Sequence, residues 1–186
     1  MRNLSVLLLT ASLAISATAQ RPYGPPPPSF ASLTDQPARH TGFVFDRNMM
    51  QSAQSLLEQN GMDAHRATAA VTGISFDQYH FQQPAFYTPE AMVALLEGYQ
   101  ASGWKHLVNQ SQTPAQIAQP RTMATDLWLH FSGADIDAVT VLTRGPLDMN
   151  VVQLTGDLRP LDLLHLSGHF GIPKVDPDAV MVPERR

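Results

Sequence analysis

Apolar and polar positions alternate most clearly between residues 125 and 173. Leu127, Leu129 and Phe131 alternate with Asp126, Trp128 and His130, which predicts a strand over residues 126–131 with one core face and one partly wet face. Residues 136–143 and 149–155 predict two further strands. Ile136, Ala138, Thr140 and Leu142 share one face of the first, and Val139 and Val141 the other, so both faces are semi-apolar and the strand should be central. Ser132-Gly133-Ala134-Asp135 and Arg144-Gly145-Pro146-Leu147-Asp148 read as the turns of an antiparallel meander. A helix of about residues 160–170 follows, starting at Pro160, with Leu161, Leu164 and Leu166 inward, helped by Leu163.

Upstream, Asp46 reads as the cap of a first helix whose Met49, Met50, Ala53, Leu56 and Leu57 make one apolar face, closed by Asn60-Gly61. Residues 65–72 are alanine-rich and ambiguous. Residues 74–81 read as a strand with competing faces, Ile74 and Phe76 on one parity and Tyr79 and Phe81 on the other. A bulge near Gln78 would reconcile them. Thr88-Pro89-Glu90 starts a helix with the stripe Met92, Leu95, Leu96 and Tyr99, stopped by Gly103. A strand over residues 104–108 follows directly, so residues 74–108 form a crossover unit whose two strands are expected to run parallel. Residues 109–122 are a polar loop without period, interrupted by Pro114 and Pro120.

These elements predict one α+β domain, residues 43–175, with a mainly antiparallel five-stranded sheet and helices packed on one face in two layers. Residues 176–186 are expected to be a frayed tail. Residues 20–42, with Arg21-Pro22-Tyr23-Gly24 and four further prolines, read as a disordered linker in polyproline II. It is either a stiff spacer or a docking motif for an aromatic-lined groove, and the spacer reading is the commoner one.

Composition adds an address. Residues 1–19 carry a positive start, an apolar run and a small-x-small site at Ala17-Thr18-Ala19, the pattern of a secretory signal peptide. The expected location is therefore outside the cytoplasm, in the periplasm or extracellular, with no transmembrane segment once the leader is removed. The chain has no cysteine, so an exported domain of this size must hold together without disulfides. Loss of the leader removes Arg2 and no acidic residue, leaving 11 basic against 16 acidic side chains. That mild acidity argues against a nucleic-acid partner.

Chemistry is sparse. His165 and His169 stand four apart, a spacing that puts two imidazoles on one helix face and would suit zinc or copper. The Leu-Ser-Gly between them carries no glutamate for a metalloprotease base, and a third ligand would have to come from His80, His106, His130 or an acid. A helix-end histidine is also favoured by the dipole, so a plain structural role competes. There is no Gly-x-Ser-x-Gly elbow, no Walker loop and no dinucleotide fingerprint; Ser132 is a turn residue and Ser167 lies mid-helix. Asp135, Asp137, Asp148, Asp157 and Asp162 could supply a carboxylate pair for glycoside hydrolysis, although aspartate is expected at turns for backbone reasons. No residue is assigned a catalytic role and no cofactor is implied. Trp128 with His130 is the candidate partner surface, unless helices cover that face and make Trp128 core. Asn109-Gln110-Ser111 fits a glycosylation acceptor, a short pattern with weight only in a eukaryotic host.

The order Gly103-Trp104-Lys105-His106-Leu107-Val108, Leu127-Trp128-Leu129-His130, Val139-Thr140-Val141-Leu142 and Met149-Asn150-Val151-Val152-Gln153-Leu154-Thr155-Gly156, ending in Leu164-His165-Leu166-Ser167-Gly168-His169-Phe170-Gly171-Ile172-Pro173, resembles the bacterial domain-of-unknown-function family 4252. The likeness spans about residues 45–173 and implies a small exported α+β protein, in some members a lipoprotein, with no catalytic residues to carry over. This chain lacks the cysteine of the lipoprotein members, and His165 and His169 belong to no motif of the family. The expected function is a non-catalytic exported protein of the cell envelope that binds a protein partner or a small ligand. The alternatives are a His-based metal-binding protein and a hydrolase with dispersed carboxylates.

Overall fold

A computed structural model describes residues 30–52, 70–108, 118–166, 168, 174 and 180–181. The fold is α+β, built on an antiparallel sheet. Strands β1 (Ala38–Asp46), β2 (Val71–Phe81), β3 (Lys105–Val108), β4 (Ala124–Ser132), β5 (Asp135–Arg144), β6 (Asp148–Leu158) and β7 (Val180–Met181) lie in the order β1-β2-β6-β5-β4-β3-β7. Every neighbouring pair is antiparallel. The expected meander β4-β5-β6 forms the middle of the sheet, closed by the two predicted turns.

The sheet is wider than the expected five strands. Two-residue β7 adds to one edge, and β1 forms the other from residues 38–42, assigned above to the Pro-rich linker, the unassigned residues 43–45 and the Asp46 cap. The fold begins by Phe30: a 3-10 turn, Phe30–Leu33, buries both its terminal side chains. Asp46 does cap a helical segment, since its Oδ1 accepts from Met49 N–H at 2.9 Å and residues 47–52 are helical. Met50 is buried and Met49 half exposed. The predicted Ala53, Leu56 and Leu57 positions and the Asn60-Gly61 stop lie outside the described residues, as does most of the alanine-rich stretch.

Helix α1 (Pro89–Ala101) starts and stops where its signals place it. Thr88 occupies the cap position without a side-chain cap bond; its own N–H instead donates to Leu33 O at 3.1 Å, tying the helix start to the 3-10 turn. Gly103 takes the left-handed φ of 84° that ends the helix, and Trp104 N–H returns to Tyr99 O. The β2-α1-β3 crossover spans three intervening strands. Four antiparallel steps make β2 and β3 point the same way, but they do not pair.

Helices cover both faces, so the molecule has three layers rather than two. Met92, Leu95 and Tyr99 of α1 pack with Phe30, Leu33, Trp104, Trp128, Leu142, Met149 and Val151 on one face. Leu163 and Leu166 of α2 (Pro160–Leu166) join Met50, Leu127, Leu129, Val139, Val141, Val152 and Leu154 on the other. The burial of Leu161 and Leu164 lies outside what is described. Two-sided cover also settles the parity conflict in β2. No bulge occurs near Gln78, and the register runs unbroken from Ile74 opposite Leu154 to His80 opposite Asp148. Ile74 and Phe76 serve the α2 face while Tyr79 and Phe81 serve the α1 face. On β5 a register shift between Ile136 and Ala138 moves Ile136 onto the α2 face, away from the Ala138–Leu142 set expected to include it.

Candidate functional site

The α1 face carries a polar and aromatic column inside the core. Trp128 stacks between Tyr99 (centroids 4.8 Å, 16° between planes) and His106 (4.8 Å, 12°), and Trp104 meets Tyr99 edge-on at 5.0 Å. Trp128 is only 1% exposed, so the candidate partner surface built on it is overturned: α1 covers that face, because the crossover must traverse the sheet there. His130 is mostly buried beside Trp104. Trp128 Nε1 and Thr140 Oγ1 are buried without a hydrogen bond. The Tyr99 hydroxyl lies beside Thr140 and Gln153 but forms no well-aligned bond, and burial pushes it up to about 12.

Beneath this column sits a buried charge cluster. Arg144 Nη2 donates to Asp126 Oδ2 at 2.8 Å, and His106 Nε2 meets Asp126 Oδ1 at 3.1 Å. The guanidinium lies 5.6 Å from the Tyr87 ring centroid. Burial pushes the Asp126 carboxyl up, but the His106 hydrogen bond and the charge and hydrogen bond of Arg144 outweigh it, holding the group below the ordinary carboxylate value.

His106 is one of four histidines paired with aspartate across adjacent strands. His40 Nε2 meets Asp77 Oδ1 at 2.8 Å between β1 and β2, and His80 Nδ1 meets Asp148 Oδ1 at 2.8 Å between β2 and β6. His130 Nδ1 meets Asp137 Oδ1 at 2.5 Å between β4 and β5. These pairs staple neighbouring strands. They engage three of the histidines considered as third metal ligands, His80, His106 and His130. They also engage two of the dispersed carboxylates, Asp137 and Asp148. Asp162 instead accepts from Arg159 N–H at 3.0 Å and from the Arg159 guanidinium, fixing the start of α2. Ser132 ends β4 opposite Asp135. The His165 side chain, His169 and Ser167 lie outside the described residues, and among the described residues no group of three or more His, Asp or Glu is placed to hold a metal ion.

No family model, curated protein or solved structure matches this chain. Function must therefore be read from the surface it presents.

The feature that sequence reasoning missed is the β1 edge. Eight of its nine residues are exposed, and Phe43, Val44 and Phe45 are 54%, 71% and 40% exposed, with half-exposed Met49 just beyond. Among the described residues β1 pairs with β2 alone, so the other side of its backbone offers a row of N–H and C=O groups next to three adjacent apolar side chains. A signal was available: Phe43-Val44-Phe45 is a β-prone triplet, but it stands between the Pro-rich segment and the Asp46 cap and was assigned to no element.

Proposed function

We propose that this chain is an exported, non-catalytic protein of the cell envelope that binds a polypeptide partner by accepting an added strand at the β1 edge. The observation that supports this reading is the long β1 edge, unpaired on one side among the described residues and carrying exposed Phe43, Val44 and Phe45. Natural sheets blunt such edges with lysine, proline or bulges, and β1 has none of the three: its register with β2 is unbroken and its only cation is Arg39. Main-chain pairing along an edge supplies affinity, while alternate side chains supply selectivity. The use of histidine and aspartate as strand staples supports a binding role over a catalytic one. Export rests on the leader pattern, and membership of family 4252 is part of the same proposal. Among the described residues no helix is long and apolar enough to cross a membrane.

Site-specific photocrosslinking in the producing cell tests the binding role. A crosslinker at Val44 should give one discrete polypeptide adduct, while one at Val93, 51% exposed on α1, should give none. Equal labelling at both positions overturns the reading. Turnover of any substrate in a hydrolase panel, at a rate that survives repurification, overturns the non-catalytic part.

A further inference from the structure

We infer that the strand accepted at the β1 edge is β1 of a second copy of this chain, paired antiparallel about a two-fold axis at Phe43. The inference rests on the edge-binding reading above and names its partner. Self-pairing is strongly constrained. Backbone N–H and C=O groups point alternately toward and away from β2, so opposed residues in a symmetric pair must have the same parity, and the axis must pass through a residue.

An axis at Phe43 places Phe43 against its own copy, Gly42 against Val44, Thr41 against Phe45, and His40 against Asp46. Each exposed apolar side chain then gains an apolar or small neighbour. Val44, the most exposed of them, lies over a residue with no side chain. Both ends of the ladder acquire a His–Asp pair, and the molecule already contains that pair in directly opposed geometry, His80 against Asp148 at 2.8 Å. His40 uses Nε2 for Asp77 and Asp46 uses Oδ1 to cap Met49, so Nδ1 and Oδ2 are the atoms that meet. The ladder stops there because the chain turns helical at residue 47. An axis at Gly42 would set Asp46 against Ala38 and His40 against Val44, with no charge matched. An axis at Val44 shortens the ladder and sets Asp46 against Gly42. Only the Phe43 register satisfies both the apolar and the charged positions.

The product is one continuous sheet of twice seven strands. An interface of this size falls at the small end, roughly 1,200 Å² or less, which makes the dimer weak and concentration-dependent. Sedimentation velocity of the mature chain, from low micromolar to near-millimolar, should show a reversible monomer–dimer equilibrium. The absence of native cysteine makes a single introduced thiol diagnostic. Opposed Cα atoms in an antiparallel pair lie about 4.5–5.5 Å apart, within disulfide reach. Phe43→Cys should therefore oxidise to a covalent dimer far faster than Val93→Cys. Phe43→Lys, which sets two cations together on the axis at an already exposed position, should weaken dimerisation at least on the order of tenfold with an unchanged circular dichroism spectrum. A wild-type chain that stays monomeric throughout overturns the second copy, and so does a dimer in which Phe43→Cys crosslinks no faster than Val93→Cys. If a different polypeptide is captured at Val44 while the chain stays monomeric, the edge-binding reading survives and this inference alone fails. If neither partner nor dimer is found, both fall.

Discussion

Arg144 on β5 reaches diagonally to Asp126 on β4 and places both Nε, at 3.2 Å, and Nη2, at 2.8 Å, on the same carboxylate oxygen, Oδ2. Oδ1 is thereby left for His106 of β3, so one buried carboxylate joins three neighbouring strands. Removing one partner of a buried ion pair strands the other charge in a poor solvent, which costs about 3–5 kcal/mol. Asp126→Asn should therefore lower the urea midpoint steeply with an unchanged m-value. Asp126→Asn combined with Arg144→Met should be less destabilised than the sum of the single variants, since no charge is then orphaned.

The same carboxylate predicts an acid limb. Its folded-state value lies below the ordinary one, so the stabilisation is complete above about 3.8 and is lost as pH falls through the depressed value. Unfolding free energy measured between neutral pH and pH 2 should drop below pH 4 in the wild type. The drop should be shallower in Asp126→Asn, and equal slopes would remove Asp126 from the account.

At the alkaline end, Tyr87 and Tyr99 both rise to about 12. Burial is the main cause in each, opposed at Tyr87 by the Arg144 charge; the Tyr87 hydroxyl donates to Gly145 O at 3.0 Å. Raised values favour the neutral phenol in the folded state. Stability should be full below pH 10 and fall as pH climbs from 10 toward 12. Ultraviolet titration should show these two phenols ionising only together with unfolding, and Tyr99→Phe should flatten the alkaline slope.

Gly156 stands opposite Val71, where the β2–β6 register shifts, and a Cβ there would collide with Ala70 O and meet Val71 Cα at 3.0 Å. Both obstacles are backbone, so Gly156→Ala should cost about 1–3 kcal/mol by overpacking. Gly133, in the β4–β5 turn, faces no atom within 4 Å and carries only its positive φ of 68°. Gly133→Ala should cost about 1 kcal/mol. Thermal unfolding of the two variants should rank them in that order.

The central meander, its two turns, α1 with its Gly103 stop and the Pro160 start of α2 were all legible in the chain. Each is decided by contacts or turns between residues a few positions apart. The second covered face was not. Both-faced burial was hinted at by β5 alone, and the placement of α1 and α2 on opposite faces depends on where the crossover passes. The His–Asp staples were partly legible. His130 and Asp137 flank one short hairpin, whereas His80 and Asp148 are 68 residues apart and meet only because β2 docks on β6. The spacing of His165 and His169, by contrast, is a local pattern visible in the sequence.

The β1 edge shows the same division. Local signals in the chain set its helical continuation, because a cap needs only Asp46 and the amide three residues on. The β-prone Phe43-Val44-Phe45 hints at a strand, but its extent over residues 38–46 and its place at the rim depend on β2 as a template and on β2 docking against β6. Sequence alone determined which segments pair with their neighbours in the chain and the absence of thiols. Tertiary structure decided which charges are buried together and which apolar strand is left at the rim, because those follow from long-range strand order, which no local preference encodes.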